Sequence, residues 1–227
     1  MERILQALEW PFIPLPWPSC IAQLDARHPL IGARRSQILR PATITHGHPN
    51  AQNPRLLLRP LALSDATEVQ PLFAQWEIVK QLNVRVPWPF PENGVEFYYR
   101  EDALPAIARG HEWHWMLRLK DDPAQKIIGS IALVLPGNNH RGFWLAQPWQ
   151  GRGLMTEAAA VVTRFWFEDL KQPSLRIKKA RDNAASRAIS LRQGMRCIAE
   201  TEDDYVSGRL PTEIWELTAE EWRSLNP

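Results

Sequence analysis

The sequence predicts a mixed α+β fold: a central mixed, mostly antiparallel sheet of about six to seven strands with flanking helices. Three observations predict it. Trp113, Trp115, Leu117 and Leu119 alternate with His114, Met116 and Arg118, which is the two-residue period of a strand. Turn-forming clusters such as Pro136-Gly-Asn-Asn139 separate several such runs at hairpin distance. One long helical stretch, 154–170, joins two strand runs as a crossover, so the sheet is not purely antiparallel.

The elements follow in order. The first 52 residues hold seven of the 20 prolines. In Trp10-Pro-Phe-Ile-Pro-Leu-Pro-Trp-Pro18 proline removes amide donors and fixes φ, which excludes helix and central strand and leaves polyproline II or irregular backbone. Residues 1–9 fit one short helix. Pro11-x-x-Pro14 has the form of an SH3 ligand, with a structureless tail as the simpler reading. His46-x-His48 has no third ligand nearby. Residues 1–52 are read as a proline-rich, poorly ordered appendage and 53–227 as the domain.

From Arg55 the pattern tightens. Arg55-Leu-Leu-Leu-Arg-Pro-Leu61 is a strand. Ser64 and Asp65 cap a helix running to about Ile78, with Asp65 and Glu68 favourable in its first turn and Pro71 able to split it. Val86-Pro-Trp-Pro-Phe-Pro91 is a rigid aromatic loop. Asn93 caps a second helix, 94–108, closed by Gly110. The strand at 113–119, a turn at 121–125, a strand at 127–135 and another at 140–146 follow. Then come the long helix, a strand at 175–180, a helix at 183–193 ending at Gly194, and closing strands at 196–202 and 212–217.

Composition narrows the function. A hydrophobic fraction of 44% with 23% charged residues allows a sizeable core. Two cysteines, Cys20 and Cys197, exclude a disulfide scaffold and a four-cysteine zinc site. No apolar run approaches the roughly 20 residues of a membrane span, and residues 1–8 are too polar for a signal peptide. A soluble, cytoplasmic protein without a membrane partner is expected. The net charge of +2 does not argue for direct nucleic-acid binding. Arginine supplies 21 of the 27 basic residues, which suits phosphate contacts and equally suits a high-GC genome.

The chemistry concentrates in Gln150-Gly-Arg-Gly-Leu-Met-Thr-Glu157, between a strand and a helix start. Two glycines let the backbone turn tightly near a ligand, and the helix's first amides and dipole favour phosphate. The Walker pattern fails, because no Gly-Lys-Ser or Gly-Lys-Thr follows. The dinucleotide pattern fails at Thr156, and its ribose-binding acid is missing where the next strand ends in Lys178-Lys179. A nucleotide-binding oxidoreductase is therefore disfavoured. Gln/Arg-x-x-Gly-x-Gly/Ala fits at Gln150, Gly151 and Gly153, with Met155 in place of the final small residue.

That loop resembles the pyrophosphate loop of the GNAT superfamily of acetyl-CoA-dependent N-acetyltransferases. Gly142-Phe-Trp-Leu, Trp149-Gln-Gly-Arg-Gly and Thr156-Glu157-Ala158 resemble its Rim-type branch of ribosomal-protein N-terminal acetyltransferases. So do Asp182-Asn-Ala-Ala-Ser-Arg187 with Gly194-Met195, the opening strand from Arg55 with Asp65, and the loop Pro87-Trp-Pro-Phe-Pro91. The resemblance spans about 55–222.

It implies a splayed parallel strand pair holding acetyl-CoA, with no metal. Phe143, Trp144 and Leu145 would run along the pantetheine. Gln150, Gly151, Arg152, Gly153, Leu154 and Met155 would hold the pyrophosphate, and Asn183 would contact the cofactor from the opposite wall. A primary amine, such as a protein or peptide N-terminus, would attack the thioester directly in a ternary complex. A backbone amide within 144–146 would polarise the thioester oxygen. His140, two residues before Gly142, is either the general base or a surface histidine. Asp203 and Asp204 are alternative bases or a solvated turn. Ser190 stands where many relatives carry a proton-donating tyrosine, and Ser186 is the other hydroxyl on that helix.

Other residues read as structure. Cys197 is expected to be buried and apolar in role, and Trp113 and Trp115 to be core. His111 and His114 lie on opposite strand faces, and Glu157 is a dipole-favourable acid. A monomer or a homodimer fits. The alternative is a non-enzymatic acyl-CoA-sensing or protein-docking module on the same fold.

Overall fold

The structure, a computed structural model, describes residues 49–135 and 137–227. The short helix expected over 1–9, the proline stretch 10–18 and His46-x-His48 lie outside the described residues. The element order is β1 (Ala51–Gln52), β2 (Leu56–Pro60), α1 (Ala66–Phe73), α2 (Trp76–Val79), α3 (Gly94–Tyr98), α4 (Leu104–Ala108), β3 (Glu112–Leu119), β4 (Ile127–Val134), β5 (Arg141–Leu145), α5 (Leu154–Glu168), β6 (Ser174–Ala180), α6 (Ala184–Arg192), β7 (Arg196–Tyr205), β8 (Gly208–Thr218) and α7 (Ala219–Leu225).

The strands form two sheets rather than one, ordered β1-β2-β3-β4-β5 and β6-β8-β7, with every ladder antiparallel. The seam lies between β5 and β6, which α5 connects. They meet at one end only: His140 N–H donates to Arg176 O (2.8 Å), Arg176 N–H to His140 Nδ1 (3.0 Å) and Lys178 N–H to Asn139 Oδ1 (3.0 Å). Towards Leu145 and Ala180 no ladder joins them. β5 and β6 therefore separate from this junction onward, leaving a gap between the two sheets. The expected single mixed sheet is thus divided at this junction.

The core has two layers around β3. Its odd residues, Trp113, Trp115 and Leu117, are buried against Ala158, Val162, Phe165 and Trp166 of α5. Its even residue Met116 is buried with Val69, Val95 and Tyr99 beneath α1 and α3. Both tryptophans are core, as their alternation predicts.

Four expectations change. The helix from Ser64 breaks after Phe73 and resumes as α2, because Pro71 weakens its last turn. The helix from Gly94 continues to Ala108 but widens into a π turn over Tyr99–Ala103. Pro105 lacks the amide that would bond Glu101 O, and the wider turn accommodates its ring. Cys197 is exposed, not buried, because β7 is an edge strand open on both faces over most of its length. α7 is additional, started by a reciprocal cap in which Thr218 Oγ1 accepts from Glu221 N–H (3.2 Å) and Glu221 Oε2 from Thr218 N–H (2.8 Å). At the other end, Ala51–Gln52 pair with β2, and Trp115 Nε1 donates to Pro49 O (2.8 Å).

Candidate active site

The loop after β5 is shaped by its own backbone. A 3₁₀ turn, Gln147–Trp149, leads into it, and Gln150 Nε2 donates to Leu145 O (2.7 Å), tying it to the strand end. Gly151 (φ 73°) and Gly153 (φ 78°) are left-handed, a region that other residues enter only with strain. Among the described residues, a Cβ on Gly151 would meet no atom within 4 Å, and one on Gly153 only Arg55 Nη2 at 3.5 Å. Conformation, not crowding, therefore requires the glycines. Gly153 is the N-cap of the 15-residue α5, whose first amides have no intrahelical partner. Arg55 Nη2 donates to Arg152 O (2.9 Å), Arg55 Nε donates to Glu157 Oε1 (2.8 Å), and Arg55 Nη2 also pairs with Glu157.

This loop opens on a cleft of about 740 Å³ at the divergent end of the seam, within the range of small-molecule sites. One wall is Phe143, Trp144 and Leu145 of β5. Ala146 N–H bonds Ile128 O (2.9 Å), so strand alternation turns the Phe143 and Leu145 amides away from β4 and towards the seam. Within 144–146, only the Leu145 amide is turned away from β4 and towards the seam. The opposite wall is α6. Asn183 lies at its start and accepts from Ser186 N–H at Oδ1 (3.0 Å), and Ser186 and Ile189 also face the cleft. The third wall, Glu77, Ile78, Gln81 and Leu82, is held by pairing of the following loop with the end of β7: Val84 N–H donates to Asp204 O (3.1 Å) and Val206 N–H to Leu82 O (3.0 Å).

Of the expected site residues, Phe143, Trp144, Leu145, Gln150, Gly151, Gly153, Leu154, Met155, Asn183 and Ser186 line the cleft. Arg152 is exposed on the loop and does not line it. His140 is buried rather than on the surface. It is 8% exposed and stacks on Trp166 with ring centroids 4.9 Å apart. Nδ1 accepts from Arg176 N–H and Nε2 lies 2.9 Å from Gly137 O, so the neutral Nε2–H tautomer satisfies both backbone groups. Burial pushes its pKa down. His140 clamps the closed end of the seam and does not line the cleft. Ser190 is also off the cleft, fully buried with Oγ on the Lys179 amine. Asp203 sits in β7 and pairs with Lys178 (3.1 Å), away from the cleft lining.

Two features escape the sequence reading. Glu77 to Leu82 reach the cleft only through pairing with β7, and no motif marks them. Lys179 is 4% exposed, its Nζ donates to Ser186 O (3.0 Å) and lies 5.4 Å from the Trp215 ring centroid. Burial, with Arg141 nearby, pushes it down to about 7. Leu175, Ile177 and Lys179 alternate onto one strand face, and that signal was present in the sequence.

Among the described residues no group of three or more His, Cys, Asp or Glu side chains is arranged to hold a metal ion. No helix there is long and apolar enough to cross a membrane.

Residues 55–196, more than half of the chain, match the family model of the acetyltransferase (GNAT) domain. No curated protein matches the chain by sequence. Among solved structures, the ribosomal-protein-S5-alanine acetyltransferase from Vibrio fischeri is similar at a TM-score of 0.65 and 15% identity, covering 76% of this chain and 98% of that one. RimL, a ribosomal L7/L12 α-N-protein acetyltransferase in complex with coenzyme A, is similar at 0.63 and 15%, covering 74% and 97%. The microcin C7 self-immunity acetyltransferase MccE, in complex with acetyl-CoA and AMP, is similar at 0.61 and 20%, covering 73% and 93%. These likenesses establish the fold. With the family model they lead to one conclusion: the chain belongs to the GNAT acetyltransferases, enzymes that use acetyl-CoA.

Proposed function

We propose that this enzyme moves the acetyl group of acetyl-CoA to a primary amine, and that the acceptor is the α-amine of a polypeptide N-terminus. One observation carries the choice of acceptor. The titratable side chains lining the cleft, among the described residues, are Glu77, Glu157 and Arg192, and Lys80 and Arg55 already engage both carboxylates. No described histidine lines it. The acceptor must therefore reach its neutral form with little help. At pH 7 that costs an α-amine of pKa about 7.8 roughly 1 kcal/mol, and a lysine of about 10.4 roughly 4–5 kcal/mol. The structural neighbour RimL, a ribosomal L7/L12 α-N-protein acetyltransferase, is named for the same class of acceptor.

The cleft walls fit acetyl-CoA. The amides of 151–155, at a helix N-terminus, suit its pyrophosphate. The Phe143 and Leu145 backbone suits the pantetheine, with Asn183 and Ser186 opposite. The neutral amine nitrogen attacks the thioester carbonyl carbon, and the Leu145 amide stabilises the developing oxyanion. The C–N bond forms, the C–S bond breaks, and the nitrogen's proton passes to water. A thiol pKa of about 8.5 lets the sulfur leave without a strong acid, and Ser186 is the hydroxyl on hand to meet it.

The test is a panel of ribosomal-protein N-terminal peptides, each paired with an N-blocked version that keeps a free lysine. Acetylation confined to the free N-termini is expected. Preference for the lysines would overturn the acceptor. Binding of acetyl-CoA with no transfer to any amine would identify the acyl-CoA-sensing module instead. The segment before Pro49 is proposed as an appendage, so deletion of residues 1–48 should leave transfer intact, and loss of transfer would contradict it.

A further inference from the structure

Arg55 lies just before β2, 102 positions upstream of Glu157, yet it is built into the glycine loop. Its backbone is fixed on both sides: its N–H donates to Asn53 Oδ1 (2.9 Å), and its carbonyl accepts from Lys120 N–H (3.0 Å) at the end of β3. From that anchor its side chain reaches Arg152 O and Glu157 Oε1 together. Glu157 lines the cleft in the first turn of α5, and its second oxygen, Oε2, is buried without a hydrogen-bond partner among the described residues.

This arrangement has an electrostatic cost. The positive end of α5 stabilises an acid in its first turn, and it equally stabilises a bound phosphate. Both anions would occupy the same helix turn, and an uncompensated carboxylate would repel the ligand. We propose that Arg55 is a positioning residue for the coenzyme: it masks the Glu157 carboxylate and holds the Arg152 carbonyl back, so that the loop amides present positive potential to the pyrophosphate. This rests on the reading that 151–155 receive the pyrophosphate. Arg55 donates to two groups in a fixed fork, which a lysine cannot reproduce.

The expected effect is specific to the charged part of the coenzyme. Binding of acetyl-CoA and of S-acetylpantetheine, which lacks the pyrophosphate, is measured by calorimetry for wild type, Arg55→Met, Arg55→Lys, Glu157→Gln and the Arg55→Met/Glu157→Gln pair. Arg55→Met should weaken acetyl-CoA about tenfold or more, the scale of one uncompensated charge a few ångström away. It should leave S-acetylpantetheine within about twofold, and raise KM for acetyl-CoA with little change in kcat. Glu157→Gln in the Arg55→Met background should restore most of the loss, because the repelling charge goes with it. Arg55→Lys keeps the charge and the fold, and should lose only a few-fold. Equal weakening of both ligands would mark a structural role and overturn the proposal, as would a double variant no better than Arg55→Met or an Arg55→Met that binds normally. Wild-type protein that fails to bind acetyl-CoA would remove the loop reading itself.

Discussion

Replacing Lys179 with methionine should change how stability depends on pH. The amine is buried beneath α6, where burial outweighs every other influence; Arg141 and Arg187 lower it further, and Glu213 and Cys197 raise it. It titrates at about 7 in the fold against 10.5 ordinarily. That gap is worth roughly 4–5 kcal/mol. Between pH 7 and 10 the unfolded chain holds a proton there that the folded chain lacks, so native stability rises with pH across that window. Below pH 7 both states are protonated and the dependence vanishes. Methionine keeps the length and removes the charge, but leaves Ser186 O and Ser190 Oγ without their donor, which costs about 2–4 kcal/mol. The two proteins should be close in stability at pH 7. By pH 9 the wild type should gain about 2–3 kcal/mol relative to the variant, at about 1.4 kcal/mol per pH unit. Urea unfolding at pH 6, 7, 8 and 9 measures the difference. A difference that stays constant from pH 7 to 9 would show that the amine is not held neutral, and would refute the reasoning.

Other substitutions separate the loop from the scaffold. A Cβ at Gly151 meets no described protein atom within 4 Å, so Gly151→Ala should cost only the left-handed strain of about 1–2 kcal/mol while weakening acetyl-CoA binding; unchanged affinity would detach Gly151 from the coenzyme. Gly153→Ala should show a similar loss of stability in unfolding experiments, with acetyl-CoA binding weakened by distortion of the α5 N-cap. His140→Ala should lose about 2–3 kcal/mol by removing the acceptor for Arg176 N–H and the stack on Trp166. Its kcat/KM should keep the wild-type pH profile, and a lost limb near neutrality would identify His140 as a base.

What the sequence revealed depended on how local the cause was. The strand at Trp113 to Leu119 was legible because alternation records burial directly, and the loop was legible because two left-handed positions demand glycine. The cap Thr218-x-x-Glu221 is equally local and has the sequence form of a capping box. The division into two sheets was not legible, since it depends on a few seam contacts between β5 and β6. The role of His140 was hidden for the same reason: its partners, Gly137 O and Arg176 N–H, are backbone groups that any sequence would supply. Cys197 misled because residue type suggested burial while position at a sheet edge decided exposure. The third cleft wall was invisible because only the end of β7 brings Glu77 to Leu82 into place.

Acetyl-CoA is proposed to enter between β5 and β6. The most direct measurement is the melting temperature of the full chain with saturating acetyl-CoA, with NADH as the control. At 100 times its dissociation constant a ligand stabilises by about 2.7 kcal/mol, roughly 5–10 °C for a chain of this size. A shift of that order with acetyl-CoA and none with NADH is the expected result. No shift with acetyl-CoA, or an equal shift with NADH, would contradict the assignment of the cleft.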